Sequence, residues 1–367
     1  MKILTVNAGS SSVKYKLFEM PKGTLISRGI IERIGEPQSK VKDHAQAIKL
    51  MFDELKSILK DLKEIGGIGH RVVHGGEDYK NPVIIDKKVL KVIEKNIELA
   101  PLHNPANLAG IKACLKYLPQ VKQVAVFDTA FHQTLPEYAF IYAIPYQYYE
   151  KYKLRKYGFH GTSHQYVAMQ ASKILKKPLS KLKLITCHLG NGASITAIKN
   201  GRSVDTSMGF TPLEGLVMGT RCGDIDPAII FYLMEKENLS PQQVYELLNK
   251  KSGLLGVSKI SNDVRVLKSE RKKQKLADLS LKIFLYRIKK YIGAYISVLG
   301  GADAIIFTAG IGENNPDLVK EVTKDLGKFL KKKPKILIIP TDEEKMIAYL
   351  TYKLLLSKGK RKKEVKK

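Results

Sequence analysis

The sequence predicts an α/β protein built by duplication, and three observations carry that prediction. A short apolar strand, Ile3 to Val6, runs into Asn7-Ala8-Gly9-Ser10-Ser11-Ser12 and out through Val13-Lys14-Tyr15-Lys16-Leu17-Phe18, an alternating run that makes a hairpin. Far downstream, Leu184-Ile185-Thr186-Cys187 runs into His188-Leu189-Gly190-Asn191-Gly192-Ala193-Ser194 and out through Ile195 to Ile198. The two segments align without a gap, Asn7 on His188 and Gly9 on Gly190. Each half then continues from its hairpin into further strands and helices, the order of a mixed sheet packed against helices.

In the first half, a 3.6-residue period predicts a helix from His44 to Leu62, with Ile48, Met51, Phe52, Leu55 and Leu59 on one face. A buried strand, Ile65 to Val73, carries His70-Arg71-Val72-Val73-His74 into Gly75-Gly76. Helices are expected from Lys87 to Leu99 and from Pro105 to Tyr117, and a strand from Val121 to Phe127 delivers Asp128 at its C-terminal end. The second half opens with a tyrosine-rich connector, Tyr138 to Tyr157, and passes through Gly158-Phe159-His160-Gly161-Thr162-Ser163-His164 into a helix. After the second hairpin and a loop from Asp205 to Pro227, helices are expected from Ile229 to Leu248 and from Leu276 to Leu299. A last apolar strand, Ala304 to Thr308, ends in Ala309-Gly310-Ile311-Gly312-Glu313-Asn314-Asn315. The strand Lys335 to Ile339 follows, and then a C-terminal helix from Thr341.

A chain of 367 residues with 44% hydrophobic and 8% aromatic residues buries a substantial core. No apolar run approaches the length of a membrane span, and the first strand stops at Asn7, too soon for a secretory signal, so a cytoplasmic protein without membrane attachment is expected. Cys114, Cys187 and Cys222 are odd in number and widely spaced, which suits reduced thiols and fits no zinc pattern. Lys and Arg number 63 against 35 Asp and Glu, a net charge of +28. The lysines are spread along the chain and densest in the tail from Lys358, and no nucleic-acid-binding signature accompanies them, so no nucleic-acid partner is expected. A field of this sign would assist capture of anionic substrates.

The two turns have a chemistry in common. Small residues let backbone N–H groups approach an anion, while serine hydroxyls and Lys14 add donors. The alternative is a pair of plain tight hairpins. Two phosphate turns, one in each half, would make a two-lobed phosphotransferase with its nucleotide between the lobes. The Walker pattern is absent, which argues against a P-loop NTPase. Gly310-Ile311-Gly312 lies between an apolar strand and a helix, where glycines allow a nucleotide close, although a plain turn is the alternative. Asp128 is either a metal or base carboxylate at a strand end or an Asx-turn or helix cap. Thr341 and Glu344 have the spacing of a capping box, which leaves Glu343 over, and Mg²⁺ needs only one or two carboxylates beside phosphate oxygens. Arg71 and Arg221 are cations suited to a carboxylate or a transferring phosphoryl group, or each is half of an ion pair. His70 with His74 and His160 with His164 lack the context of a zinc site.

Together these segments resemble the acetate kinase family, within the superfamily of acetate and sugar kinases, Hsp70 and actin. The matching stretches are Asn7 to Lys14, Gly69 to Gly76, Ala100 to Pro105, Val126 to His132, Gly158 to His164, His188 to Ser194, Asp205 to Asp226, Ser261 to Arg265 and Thr308 to Asn314. They span nearly the whole chain in family order. The resemblance implies two duplicated ribonuclease-H-like domains of the actin-like ATPase fold with an active-site cleft between them. The expected lobes are 1–128 with 345–367, on the acetate and metal side, and 129–344, for nucleotide binding and dimerisation. It implies reversible, Mg²⁺-dependent transfer of a phosphoryl group from ATP to acetate, giving ADP and acetyl phosphate, by a homodimer; Mn²⁺ is a possible substitute.

Carried onto this sequence, the resemblance assigns Arg71 to the acetate carboxylate and Val73, Leu102, Phe159 and Pro212 to a small methyl pocket. His160 and Arg221 would stabilise the phosphoryl group in flight, and Asn7, Asp128 and Glu343 would hold the metal directly or through water. His188, Asn191 and Gly312 are expected to face the ATP phosphates, Asp263, Arg265, Gly310 and Ile311 the adenosine, and Lys14, Leu189, Gly190, Gly192, Val264 and Asn314 complete the expected nucleotide site. Acetate is already ionised at neutral pH, so Asp128 is better cast as a metal and alignment residue than as a general base. Two stretches are shorter than the family's usual form, at Gly35 to His44 and at Phe329 to Lys335. Competing readings are a propionate or butyrate kinase, against which Val73 argues by its size, and an actin- or Hsp70-like ATPase, which has no use for a carboxylate clamp at Arg71.

Overall fold

The computed structural model describes residues 1–101, 103–328, 330 and 332–364. Two compact units make up the chain: residues 1–133 with 161–163 and 342–367, and residues 134–160 with 164–341.

The first unit is built on a six-stranded sheet of β1 (Lys2–Ala8), β2 (Ser12–Glu19), β3 (Thr24–Glu32), β4 (Ile65–Val72), β5 (Val83–Ile84) and β6 (Gln123–Phe127), in the order β3-β2-β1-β4-β6-β5. β1 runs antiparallel to β2 and parallel to β4, which is parallel to β6. One face is covered by the helices His44–Lys56 and Asn104–Tyr117, whose Ile48, Met51, Phe52, Leu55 and Cys114 pack with Leu4, Val6 and Leu17. On the other face, Ile347, Ala348 and Leu355 of the C-terminal helix Glu343–Glu364 meet Ile3, Phe18, Val124 and Val126. Gly67 and Gly69 of β4 let this helix come close: a Cβ at Gly69 would stand 2.4 Å from Thr351 Oγ1 and 2.7 Å from Ile347 Cγ2.

The second unit repeats the plan with β7 (Lys183–Leu189), β8 (Ala193–Lys199), β9 (Arg202–Thr206), β10 (Ala304–Thr308) and β11 (Lys335–Ile338), in the order β11-β10-β7-β8-β9. Its hairpin is again antiparallel and its β7, β10 and β11 parallel, so β9-β8-β7-β10-β11 matches β3-β2-β1-β4-β6 strand for strand. The 25-residue helix Lys275–Leu299 buries Leu281, Phe284, Ile288, Ile292 and Ile296. These duplicated mixed sheets are the predicted fold class.

The local expectations fail where polar side chains intervene. The gapless alignment of the two turns breaks by one residue, because Asn7 pairs with Lys14 across seven positions but His188 pairs with Ser194 across six. The first long helix stops at Lys56, and Asp61 with Glu64 caps a separate turn, Leu62–Glu64. The helical stretch from Ile229 to Leu248 consists of two helices, Ala228–Lys236 and Pro241–Lys250, the second opened by a capping box of Ser240 and Gln243 with Pro241 in its first turn. At the last helix the cap is Asp342, which accepts from Lys345 N–H at 3.1 Å, and not Thr341, whose own N–H is taken by Glu313. This frees both Glu343 and Glu344 from capping. Among the described residues no helix is long and apolar enough to cross a membrane.

Candidate active site

In the first unit, parallel strands bring Arg71 and Asp128 to the same sheet edge. Arg71 lies near the end of β4 and Asp128 follows β6, its N–H bonded to the Val72 carbonyl at 2.9 Å. Arg71 Nε donates to both carboxylate oxygens of Asp128 at 3.0 and 3.2 Å, and Nη2 donates to Oδ2 at 2.6 Å. Nη1 reaches Asn7 Oδ1 at 3.4 Å. Burial alone would lower the Arg71 pKa, but the charges of Asp128 and Glu343 outweigh it and hold it above the ordinary value. Lys14 stands opposite Asn7 on β2, in the same unit.

Val73 follows β4, buried, with its N–H donated to Asn107 Oδ1 at 3.0 Å. Asn107 also donates to the Ala8 carbonyl at 2.7 Å, so one side chain ties the glycine turn to the residue beside Arg71. Asn104 grips His74 in the same way through both backbone groups. Neither asparagine was singled out from the sequence. The signal was there, as two amides spaced i, i+3 on an otherwise apolar helix face, where burial demands partners. Of the other expected pocket residues, Phe159 (buried) and Pro212 belong to the second unit, and Leu102 lies outside the described residues.

In the second unit, two expected groups converge on Gly192. A Cβ there would stand 3.3 Å from Arg221 Nη1 and 3.5 Å from both Cε1 and Nε2 of His160, so the missing side chain leaves two nitrogen donors facing one space. The His160 ring stacks on His188, with centroids 4.1 Å apart and planes inclined by 20°. His160 adopts φ 57°, a left-handed conformation uncommon for a non-glycine residue, and immediately precedes the helix Gly161–Ile174. Arg221 donates to the Pro212 carbonyl at 3.3 Å and pairs with no carboxylate among the described residues. Its pKa is drawn down by burial, although a guanidinium stays charged. A backbone bond from Gly219 N–H to the Asn191 carbonyl holds this loop against the second turn, and one from Leu254 N–H to the Met218 carbonyl ties it to the helix Gly253–Ser258.

Also in the second unit, a cavity of about 720 Å³ is lined by Gly190, Asn191, Asn262, Asp263, Val264, Arg265, Gly310, Ile311, Asn314 and Asn315. Three segments distant in sequence supply it. Asp263 caps the helix Val264–Glu270 by accepting from Arg265 N–H at 2.8 Å and also pairs with the exposed Arg265 guanidinium at 2.6 Å. Ala309, at φ 63°, opens the Gly310 turn, and Glu313 Oε1 secures it by accepting from Ala309 N–H at 2.7 Å and Thr341 N–H at 3.0 Å. A non-glycine residue in that region is a cost accepted at functional turns. Asn262 and Asn315 line the cavity without having been expected there. Leu189 and Gly312 lie beneath it, packed with Phe284, Ile288 and Phe307.

The oxygen donors proposed for a metal are Asn7, Asp128 and Glu343. Burial pushes the Glu343 carboxyl up to about 7, and repulsion by Asp128 and Glu344 adds to this against the pull of Arg71 and Lys14. No cluster of three or more His, Cys, Asp and Glu side chains forms a metal cage among the described residues. Two mutually repelling carboxylates and an amide oxygen nevertheless suit a hard cation that completes its shell with water and phosphate oxygens. The donor set therefore fits Mg²⁺, and Mn²⁺ shares the preference.

Residues 2–332 match the model of the acetokinase family. The chain is 52% identical to an acetate kinase of Thermoanaerobacter pseudethanolicus, over 97% of this chain and 99% of that protein. Among solved structures, the acetate kinase of Porphyromonas gingivalis is 43% identical with a TM-score of 0.92, covering 96% of this chain and 99% of that one. A propionate kinase from Francisella tularensis is 41% identical with a TM-score of 0.90, over the same shares.

Proposed function

The chain belongs to the acetokinase family, and on that premise we propose that it is an acetate kinase, catalysing ATP + acetate ⇌ ADP + acetyl phosphate by direct in-line transfer. It is a phosphotransferase with a carboxyl group as acceptor. The observation that supports the residue roles best is at Arg71. Asp128 takes the Nε–Nη2 edge of the guanidinium, and the Nη1–Nη2 edge remains for a second carboxylate, that of acetate.

Acetate is ionised at neutral pH, so its oxygen attacks without giving up a proton and no general base is needed. Arg71 orients the acetate, Asp128 fixes Arg71, and Val73 limits the space for the acyl chain. His160 and Arg221 present N–H groups to the transferring phosphoryl group, the part that a preorganised cation plays in a loose transition state. Asn7, Asp128 and Glu343 would hold Mg²⁺, whose charge neutralises phosphate oxygens when bound. The adenosine enters the cavity between Asp263, Val264, Arg265, Gly310 and Ile311. Its phosphates face His188, Gly190, Asn191, Gly192 and Asn314. The balance of charge is similar on the two sides of the reaction, so the same groups serve acetyl phosphate formation and ATP synthesis.

This reading includes a cytoplasmic homodimer formed through the second unit. It is supported by the helix Ala228–Lys236, where Phe231 and Tyr232 stand exposed. The test of the whole is a hydroxamate-trapping assay with ATP, Mg²⁺ and acetate, propionate or butyrate in turn. Acetate is expected to be the preferred acceptor. Hydroxamate formed only with the longer acids, or none with any of them, overturns the assignment.

A further inference from the structure

Ser194 stands between two histidines. Its Oγ lies 2.9 Å from His160 Nδ1 and 2.8 Å from His164 Nε2, and among the described residues it has no third hydrogen-bond partner. Beyond it, His164 Nδ1 lies 2.7 Å from Thr186 Oγ1, whose hydroxyl also reaches the Thr196 carbonyl at 3.5 Å. Ser194, His164, Thr186 and Thr196 are all fully buried, while His160 at the head of the chain is half-buried. Around His160 also stand His188, stacked on its ring, and Arg221 across Gly192.

A hydroxyl has one hydrogen, so Ser194 donates to one imidazole and accepts from the other. If His160 is neutral with its proton on Nε2, Ser194 donates to Nδ1, His164 donates from Nε2 to Ser194, and Thr186 donates to His164 Nδ1. If His160 is protonated, its Nδ1–H donates to Ser194, whose hydroxyl must then turn to His164 Nε2. The His164 proton now sits on Nδ1 and points at Thr186, which donates to the Thr196 carbonyl. One proton is gained, on His160; those on His164, Ser194 and Thr186 change place but not number. In both arrangements His160 Nε2 carries a hydrogen toward the space over Gly192. The same chain also accommodates neutral His160 protonated on Nδ1, which aims a lone pair at that space and is disfavoured by a phosphate bound there.

We propose that Ser194, His164 and Thr186 are positioning residues that, through this hydrogen-bonded chain, couple His160 to His164 and hold its ring with the Nε2 edge toward the transferring phosphoryl group. The proposal rests on the phosphoryl-stabilising role given to His160 above. Buried networks of this kind act as a unit because an unmade bond inside them is costly.

The experiment is ¹⁵N NMR of histidine-labelled full-length enzyme across a pH titration, with steady-state kinetics of the same samples and assignments from His160→Gln and His164→Gln. In the wild-type chain, His164 is expected to stay neutral and to switch from the Nε2–H to the Nδ1–H tautomer with the same midpoint at which His160 gains its proton. In Ser194→Ala that coupling should vanish, and kcat should fall at least tenfold while KM for ATP and for acetate each stay within threefold. Ser194→Thr, which keeps the hydroxyl, should restore both. Independent titration of the two histidines in the wild type, or an unchanged kcat and coupling in Ser194→Ala, overturns the proposal. A His160→Gln enzyme with normal turnover would instead overturn the role of His160, while the tautomer coupling would still be read by NMR.

Discussion

Asp128 holds Arg71 by one edge of its guanidinium, through Nε and Nη2, and among the described residues no carboxylate takes the other edge. The pair is deeply unequal in exposure, with 2% of the Asp128 side chain accessible against 25% for Arg71. Asp128 is therefore the fixed member, and Arg71 is aimed by it.

Replacing Asp128 by Asn removes the charge but keeps an acceptor oxygen. Arg71 is then left as an underpaired, partly buried cation, which costs on the order of 2 kcal/mol once its solvent exposure is allowed for. Urea unfolding should show that loss, and turnover should drop by about 100-fold or more as both Arg71 alignment and a metal donor are lost. Combined with Arg71→Gln, the stability losses should not add, because both variants break one interaction. Additive losses would show that the two side chains act separately.

Arg221 faces the space over Gly192 and does not line the cavity assigned to the nucleoside. Arg221→Ala should lower kcat by roughly 10³-fold or more, in line with cations that stabilise phosphoryl transfer. Binding of ADP, followed by calorimetry, should change by less than about threefold. Near-normal turnover would remove Arg221 from the chemistry.

Val73 is buried and its backbone is fixed by Asn107, so a smaller side chain here enlarges the space without releasing the strand end. Val73→Ala should shift the ratio of kcat/KM for propionate over acetate upward by about tenfold, since a methylene is worth roughly 1–3 kcal/mol in an apolar pocket. The ratio is read from competing-substrate assays. A ratio that does not move would place the acyl chain elsewhere.

His70 is fully buried and bonded to Gln123 Oε1 at 2.7 Å, and burial lowers its pKa to about 4. In the unfolded chain a histidine titrates near 6.5, so between about pH 6.5 and 4 the unfolded state binds more protons and stability falls as pH falls. The contribution is complete above pH 6.5 and is lost as the pH drops toward 4, by up to about 3 kcal/mol. His70→Gln keeps a donor for Gln123 and removes the titration. Chemical unfolding at a series of pH values should show a shallower acid loss in this variant than in the wild type; equal slopes would assign the acid sensitivity to other groups.

The sequence by itself determined the local and repetitive features. Apolar alternation and glycine-rich turns announced both hairpins, the order of strands in each half announced the duplication, and the strand ends carrying Arg71 and Asp128 were readable because a β-strand has a fixed period and must stop at a polar turn. Tertiary structure alone decided the rest. Arg71 meets Asp128 only because β4 and β6, 57 residues apart at this contact, lie side by side. Asn191, Asn262 and Gly310 share one cavity although they come from a hairpin turn, a link between two helices and the segment after β10. The shift of one residue between the two turns, the cap at Asp342 and the chain from Thr186 to His160 are likewise set by hydrogen bonds. Such bonds depend on distance and direction to atoms far along the chain, and no local periodicity encodes these.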